Sequence, residues 1–234
     1  PAERAQGEAG DRGGHPVTGP ALPPLVLLAA GESRRMGSPK GLVPCHGTPW
    51  MECQVEAFFG AGGARTLVVV GYHRAEYFAR MPWLEAGRAD WSDFAGGRVR
   101  VVENPAPQRG QFSSLQCGIG RLLEGGDEAC LLLPLDAPLA GEDVLPALVG
   151  GAGPQSWAAI PTCQGRRGHP VLLREPFLRR LLDLDPGAAD ARLDRQIAAL
   201  PAGRLVLVET GDPLIRLNLN TPADFQAFRG SGGS

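Results

Sequence analysis

Lysine is almost missing from this chain: of its 23 basic residues, Lys40 alone is a lysine and the rest are arginine. An excess of charge of either sign is missing too. Acidic residues number 25, for a formal net charge of −2. That balance excludes a global basic field for nucleic acid. No apolar run approaches the length of a membrane span and none has the pattern of a signal peptide, so no membrane partner is expected. The five cysteines, Cys45, Cys53, Cys117, Cys130 and Cys163, form no Cys-x-x-Cys pair. Odd in number and far apart, they speak against a disulfide framework or zinc site and for a reducing, cytoplasmic compartment. No internal repeat is visible.

What is present suffices for one large α/β domain, at 234 residues. Residues 1–24, rich in Gly, Pro, Ala and charge, are expected to form a disordered leader. Residues 25–229 form the domain, and residues 230–234 read as a flexible tail. Apolar runs predict strands at 25–30, 66–70, 99–103, 129–133, 157–161, 171–173, 204–209 and 215–219. Residues 42–44 read as a short extended piece. Thr48-Pro49 reads as an N-cap with proline at the first helical position, ahead of a helix carrying Met51, Val55, Phe58 and Phe59. Further helices are predicted at 73–81, after Ser114, at 142–149, 176–182 and 191–199, and from Pro222. Residues 82–97 read as irregular. Strands alternating with helices imply a three-layer α/β/α architecture, its mostly parallel sheet covered on both faces. Ligands bind such sheets beyond the carboxyl ends of the strands.

Residues 25–40 carry the clearest local signal. An apolar run breaks at Gly31 into a loop with Arg34, Arg35, Gly37 and Lys40. A buried strand that empties into a glycine-bent basic loop suits a phosphate group. A solvated surface turn would use many of the same residues. Lysine and arginine are not interchangeable where a compact charge meets phosphate, which gives the lone Lys40 added weight. The glycine spacing fits neither a dinucleotide fingerprint nor a Walker loop. Asp136 ends the apolar run 129–133 between Pro134 and Pro138. A carboxylate there needs a partner, and Mg²⁺ is a natural one; a turn or N-cap aspartate is the plainer alternative. Gly110, Ser113 and Ser114 precede a helix, where a serine cap is the simple reading. Arg166 and Arg167 sit in a polar loop with Gly168-His169-Pro170, and could meet an acceptor phosphate or only solvent. The Gly31 loop, residues 104–114 and Asp136 all follow strands, so they should converge.

Leu28-Ala29-Ala30-Gly31-x-Ser33-x-Arg35-Met36-Gly37-x-Pro39-Lys40 resembles the signature loop of the nucleotidyltransferases, most closely the branch that attaches CMP or GMP to the molybdenum cofactor. The likeness extends over residues 25–228, although residues 183–195 depart from the family pattern and carry no expected role. It implies a Rossmann-like nucleotide-diphospho-sugar transferase fold. It further implies that Leu28, Ala29, Ala30, Gly31, Ser33, Arg35 and Lys40 wrap the triphosphate, with Arg35 and Lys40 on the phosphates. Gly110 and Ser114, in a segment similar to the family's Gly-x-x-x-Ser-Leu-x-x-Gly, would touch base or ribose. Asp136 matches the metal-binding Asp-x-Pro, and Asn220, in Asn218-Leu219-Asn220-Thr221-Pro222, stands where many members have a second metal-binding aspartate. Arg167, Gly168 and His169 would face the acceptor.

The implied reaction is nucleotidyl transfer with Mg²⁺: an acceptor phosphate oxygen attacks the α-phosphorus of CTP or GTP and pyrophosphate leaves. Arg35, Lys40 and Asp136 are the catalytic candidates. The implied partners are the nucleotide, a phosphate-bearing acceptor of the molybdopterin type, and a molybdoenzyme or chaperone as candidate recipient. The Ala30-Gly31 pair, whose methyl would narrow the slot for a base, and Gly-His-Pro favour CTP; the late Asn-x-Asn favours GTP, and the expected preference is CTP, with CMP as the group transferred. Two rivals stand beside this reading: a sugar- or polyol-phosphate nucleotidyltransferase, and a module that holds nucleotide without turnover, for which Asn220 is the best support.

Overall fold

The computed structural model describes residues 21–230, so most of the expected leader and tail lies outside the described residues. In chain order the elements are β1 (Leu25–Ala29), β2 (Pro44–Cys45), β3 (Thr48–Pro49), α1 (Trp50–Gly60), β4 (Arg65–Val70), α2 (Arg74–Arg80) and α3 (Pro82–Ala86). Then come β5 (Ser92–Phe94), β6 (Gly97–Glu103), α4 (Gln111–Glu124), β7 (Ala129–Pro134), α5 (Val144–Gly151), β8 (Ala158–Cys163) and β9 (Arg166–Arg167). The chain closes with β10 (Val171–Arg174), α6 (Glu175–Leu182), α7 (Leu193–Ala198), β11 (Leu205–Glu209) and α8 (Pro222–Gly230).

Nine strands form one mixed sheet in the order β11-β8-β10-β7-β1-β4-β6-β5, with β9 paired to β8. The central block β7-β1-β4-β6 is parallel throughout, and β10 enters antiparallel between β7 and β8. Alternation along β1 explains the layers. Leu25, Leu27 and Ala29 face one core with Trp50, Phe58, Phe225 and Phe228; Val26 and Leu28 face the other with Leu115, Ile119, Phe177 and Leu181. Both faces are covered, as a central parallel sheet requires. Trp50 packs edge-on against Phe225 at 5.2 Å and Phe228 at 5.6 Å, which docks α8 against α1. On the opposite face α4 approaches closely at Gly118, where a Cβ would stand 2.8 Å from Val26 and 3.0 Å from Val69.

Several expectations need correction. Thr48 does not cap α1: it pairs with Cys45 in a short hairpin, and Pro49 occupies the cap position. Residues 40–42 form a 3₁₀ turn, so the extended piece expected at 42–44 begins at Val43 and runs into β2. Residues 82–97 contain α3 and β5, whose Trp83 and Phe94 rings stack at 4.4 Å. Residues 215–219 are not a strand; Pro213–Arg216 is a 3₁₀ turn, set by Asp212 accepting the Leu214 N–H at 2.8 Å. Helix α5 begins two residues later than expected and α7 is shorter. The cysteines are all free.

Candidate active site

The first strand delivers the basic loop. Beyond Ala29 the chain leaves the sheet through Gly31, and Ser33 (φ 55°) and Gly37 (φ 70°) adopt left-handed backbone that turns it back. That conformation is uncommon for serine and is held by its own contacts. The Ser33 hydroxyl accepts the Lys40 backbone N–H at 3.0 Å, and its carbonyl accepts the Met36 N–H at 2.9 Å. Buried Met36 anchors the loop from below. Past Lys40, the Gly41 N–H donates to Tyr77 Oη at 3.3 Å. A Cβ at Gly41 would stand 2.8 Å from Met51 and 2.9 Å from Tyr77, so no larger residue fits.

Lys40 points inward, its side chain only 11% exposed. Its Nζ donates to Asn220 Oδ1 at 3.2 Å and lies 4.0 Å from Asp136 Oδ2. Burial lowers its pKa below the ordinary lysine value; Asp136 opposes that shift, Arg35 adds to it and Asp224 opposes it. Arg35 is exposed at the loop's rim. Asp136 follows β7 on a segment fixed from three sides. The Leu135 N–H donates to the Leu28 carbonyl at 3.0 Å, Trp50 Nε1 donates to the Leu135 carbonyl at 2.7 Å, and the Leu219 N–H donates to the Asp136 carbonyl at 2.6 Å. Asn220 is fixed in turn by the capping box of α8. Asp224 Oδ2 accepts the N–H groups of Asn220 and Thr221, both at 2.8 Å, and Thr221 Oγ1 accepts the Asp224 N–H at 3.2 Å.

Ser113 and Ser114 are not caps. They lie inside α4, and their hydroxyls accept from Asn104 Nδ2, both at 2.9 Å. Asn104 is 1% exposed and its Oδ1 accepts the Ala106 N–H at 2.9 Å. It organises the whole 104–114 turn, a role that Asn104-Pro105 as a turn signal did not reveal. Gly110 (φ 91°) takes the cap position with no side chain over the first turn of α4.

The residues expected to bind nucleotide, from Leu28 through Lys40 to Gly110 and Ser114, all line one cavity of 490 Å³ with Asp136 and Asn220. A second cavity, of 660 Å³, contains Arg167, Gly168 and His169. The two share Leu28, Gly110, Gln111, Pro134 and Asp136, so Asp136 stands at the seam. Gly168 admits no side chain, because a Cβ there would overlap the Ile215 carbonyl. The His169 N–H donates to that same carbonyl at 2.8 Å. Burial lowers the His169 pKa, opposed by Asp136, so the ring is neutral near pH 7, and its buried Nδ1 has no partner. Arg166 lines neither cavity; on β9 it pairs with Cys163. Residues 191–194, to which no role was given, also line the second cavity. Their arginine is matched by a neighbouring acid, Arg192 Nη2 to Asp194 Oδ2 at 2.9 Å, which leaves little in sequence to mark it.

A cationic loop and the carboxylate of Asp136 at the strand ends of a Rossmann-like sheet define an α/β protein with a site suited to a phosphorylated ligand. Comparison with known proteins narrows the class. The chain belongs to the MobA-like NTP transferase domain family, whose model matches residues 25–203, and it is a nucleotidyltransferase. A molybdenum cofactor guanylyltransferase of Acidiphilium cryptum is 29% identical over 208 residues, covering 86% of this chain and 91% of the relative. One of Xanthomonas euvesicatoria is 48% identical over 84 residues, 35% of this chain and 39% of the relative. Among solved structures, a nucleotidyl transferase from Methanothermobacter thermautotroptrophicus superposes with a TM-score of 0.67 at 23% identity, covering 90% of this chain and 97% of that one. The expected family and fold therefore hold.

Proposed function

We propose that this nucleotidyltransferase moves a guanylyl group from GTP to a phosphate-bearing acceptor of the molybdopterin type. The observation that carries the proposal is the seam: Lys40 and Asp136, 4.0 Å apart, where two cavities meet. The smaller, loop-walled cavity takes the triphosphate. The larger one, floored by Phe112, Leu132 and Ile160 and rimmed by Arg167, takes a flat acceptor with its phosphate at the seam. An acceptor phosphate oxygen then reaches the α-phosphorus and pyrophosphate leaves on the Lys40 side. Lys40 and Arg35 neutralise charge on the phosphates, and the loop positions them. His169, neutral beside Asp136, contacts the acceptor.

Asp136 fits Mg²⁺, which typically takes one or two carboxylates and completes its shell with phosphate oxygens. Bound there, the ion would polarise the phosphate oxygens. Asn220 Oδ1 accepts from Lys40 and so positions the lysine; its second lone pair would let the same oxygen serve as a neutral ligand to the ion. Among the described residues no cluster of three or more His, Cys, Asp or Glu is arranged to hold a metal.

The base is where the sequence signals divide. The names of both relatives and the late Asn-x-Asn support GTP. The Ala30 reading for CTP is weakened by packing: the Ala30 methyl lies where a Cβ on Gly71 would be only 2.8 Å away, so it is spent against the β4 turn. Pyrophosphate release from GTP, CTP and ATP, each with and without molybdopterin, is the test. GTP should lead CTP by roughly tenfold in kcat/KM. A CTP preference would restore the Ala30 reading, and turnover with a sugar phosphate alone would remove the acceptor assignment.

A further inference from the structure

His73, which precedes α2 and carries no role above, holds the basic loop from outside the cavity. Its Nε2 lies 2.9 Å from the Glu32 carbonyl oxygen, and its Nδ1 lies 2.9 Å from Glu76 Oε1. A backbone carbonyl and a carboxylate can only accept. Both ring nitrogens must therefore carry hydrogen for both contacts to be hydrogen bonds, which only the imidazolium satisfies. Deprotonation costs one of the two. The same helix grips the loop's other end through Tyr77 Oη and the Gly41 N–H, so α2 spans the loop from Glu32 to Gly41.

We propose that His73 is a positioning residue: as an imidazolium it ties the loop of residues 31–40 to α2 and presets it for the triphosphate, and above its titration the loop loosens. This rests on the triphosphate reading of the loop. The groups facing His73 are few. Glu32 and Arg34, paired with each other at 2.6 Å, come from the loop. Glu76 and Tyr77 come from α2, as does Arg74, which turns to Glu103 on β6 at 3.3 Å. Burial pushes the His73 pKa down, but the bonds to the Glu32 carbonyl and Glu76 and the charges of both acids outweigh it, leaving it above 6.5. The sign follows: the tie is complete below the ordinary histidine value and is lost as pH rises through the higher folded one. Tyr77, pushed up to about 12 by burial, does not change charge in that range.

The test compares the wild-type chain with His73→Leu, which has no donor, and His73→Arg, which donates at every pH. Amide hydrogen exchange over residues 31–40, corrected for intrinsic rates, is measured at pH 6 and pH 8.5. Protection should fall with pH in the wild type, be low throughout in His73→Leu and high throughout in His73→Arg. In parallel, the rise of KM for GTP with pH should be roughly three- to tenfold larger in the wild type than in either variant, with kcat changing less. Lys40 titrates alike in all three chains and cancels in the comparison. Wild-type protection that ignores pH, or a leucine variant that keeps the wild-type slope, overturns the tie. Absence of turnover with every triphosphate would instead remove the proposed function, while exchange still decides His73.

Discussion

A buried ammonium sheds its proton more readily than a free one, and Lys40 is both buried and central. Because its pKa is lowered from 10.5, kcat/KM should fall on the alkaline side before that pH. Lys40→Ala should cost about 10²-fold in turnover, the scale of one lost charge-stabilising donor, and should erase that limb of the profile. Its thermal midpoint should stay near the wild type, since the cost of burying the ammonium offsets its bond to Asn220. Asp136→Asn tests a different atom. Losing one charged hard ligand should raise the Mg²⁺ concentration needed for half-maximal rate, read by metal titration at saturating GTP. Full activity in excess chelator would end the metal assignment. Both residues were legible in sequence, Lys40 as the lone lysine of a glycine-bent basic loop and Asp136 as a charge closing an apolar run. Asn104 was not, since its importance lies in two serines that only the folded turn brings to its amide.

Elements carry the site by close docking. Helix α4 brings Gly110 and Ser114 to the cavity only because Gly118 lets it settle on β1 and β4. Val26 and Val69 are β-branched and fully buried, so they have nowhere to retreat. Gly118→Ala should therefore destabilise by about 1–3 kcal/mol in urea melts, through overpacking that outweighs alanine's better helix propensity. An equal or higher stability would show that the interface has slack. Thr221→Ala should cost about 1 kcal/mol by removing half the capping box of α8. It should also raise KM, because the same turn aims Asn220 at Lys40. The central strands and long helices were readable from period alone. What escaped was local and tertiary: α3 and β5, hidden among glycines and tryptophans, and the turn at 213–216, which runs into Ile215, Arg216, Leu217, Asn218 and Leu219, an alternation that imitates a strand. The backbone there crosses Gly168 instead of joining the sheet.

At the scale of the molecule, two cavities of 490 and 660 Å³ open at the strand ends and share a short wall. Leu28, Gly110, Gln111, Pro134 and Asp136 belong to both, so in the proposed function the two ligands lie side by side. A compound that joins a nucleoside to a pterin-like ring through a phosphate bridge would occupy both at once. Its second half would bind at the high effective concentration that tethering supplies. Such a bridged ligand should bind 10²- to 10⁴-fold tighter than either half, by an order-of-magnitude estimate, and calorimetry can compare the three. On the proposed function, the shared wall at Asp136 makes this enzyme open to a single inhibitor that imitates both nucleotide and acceptor.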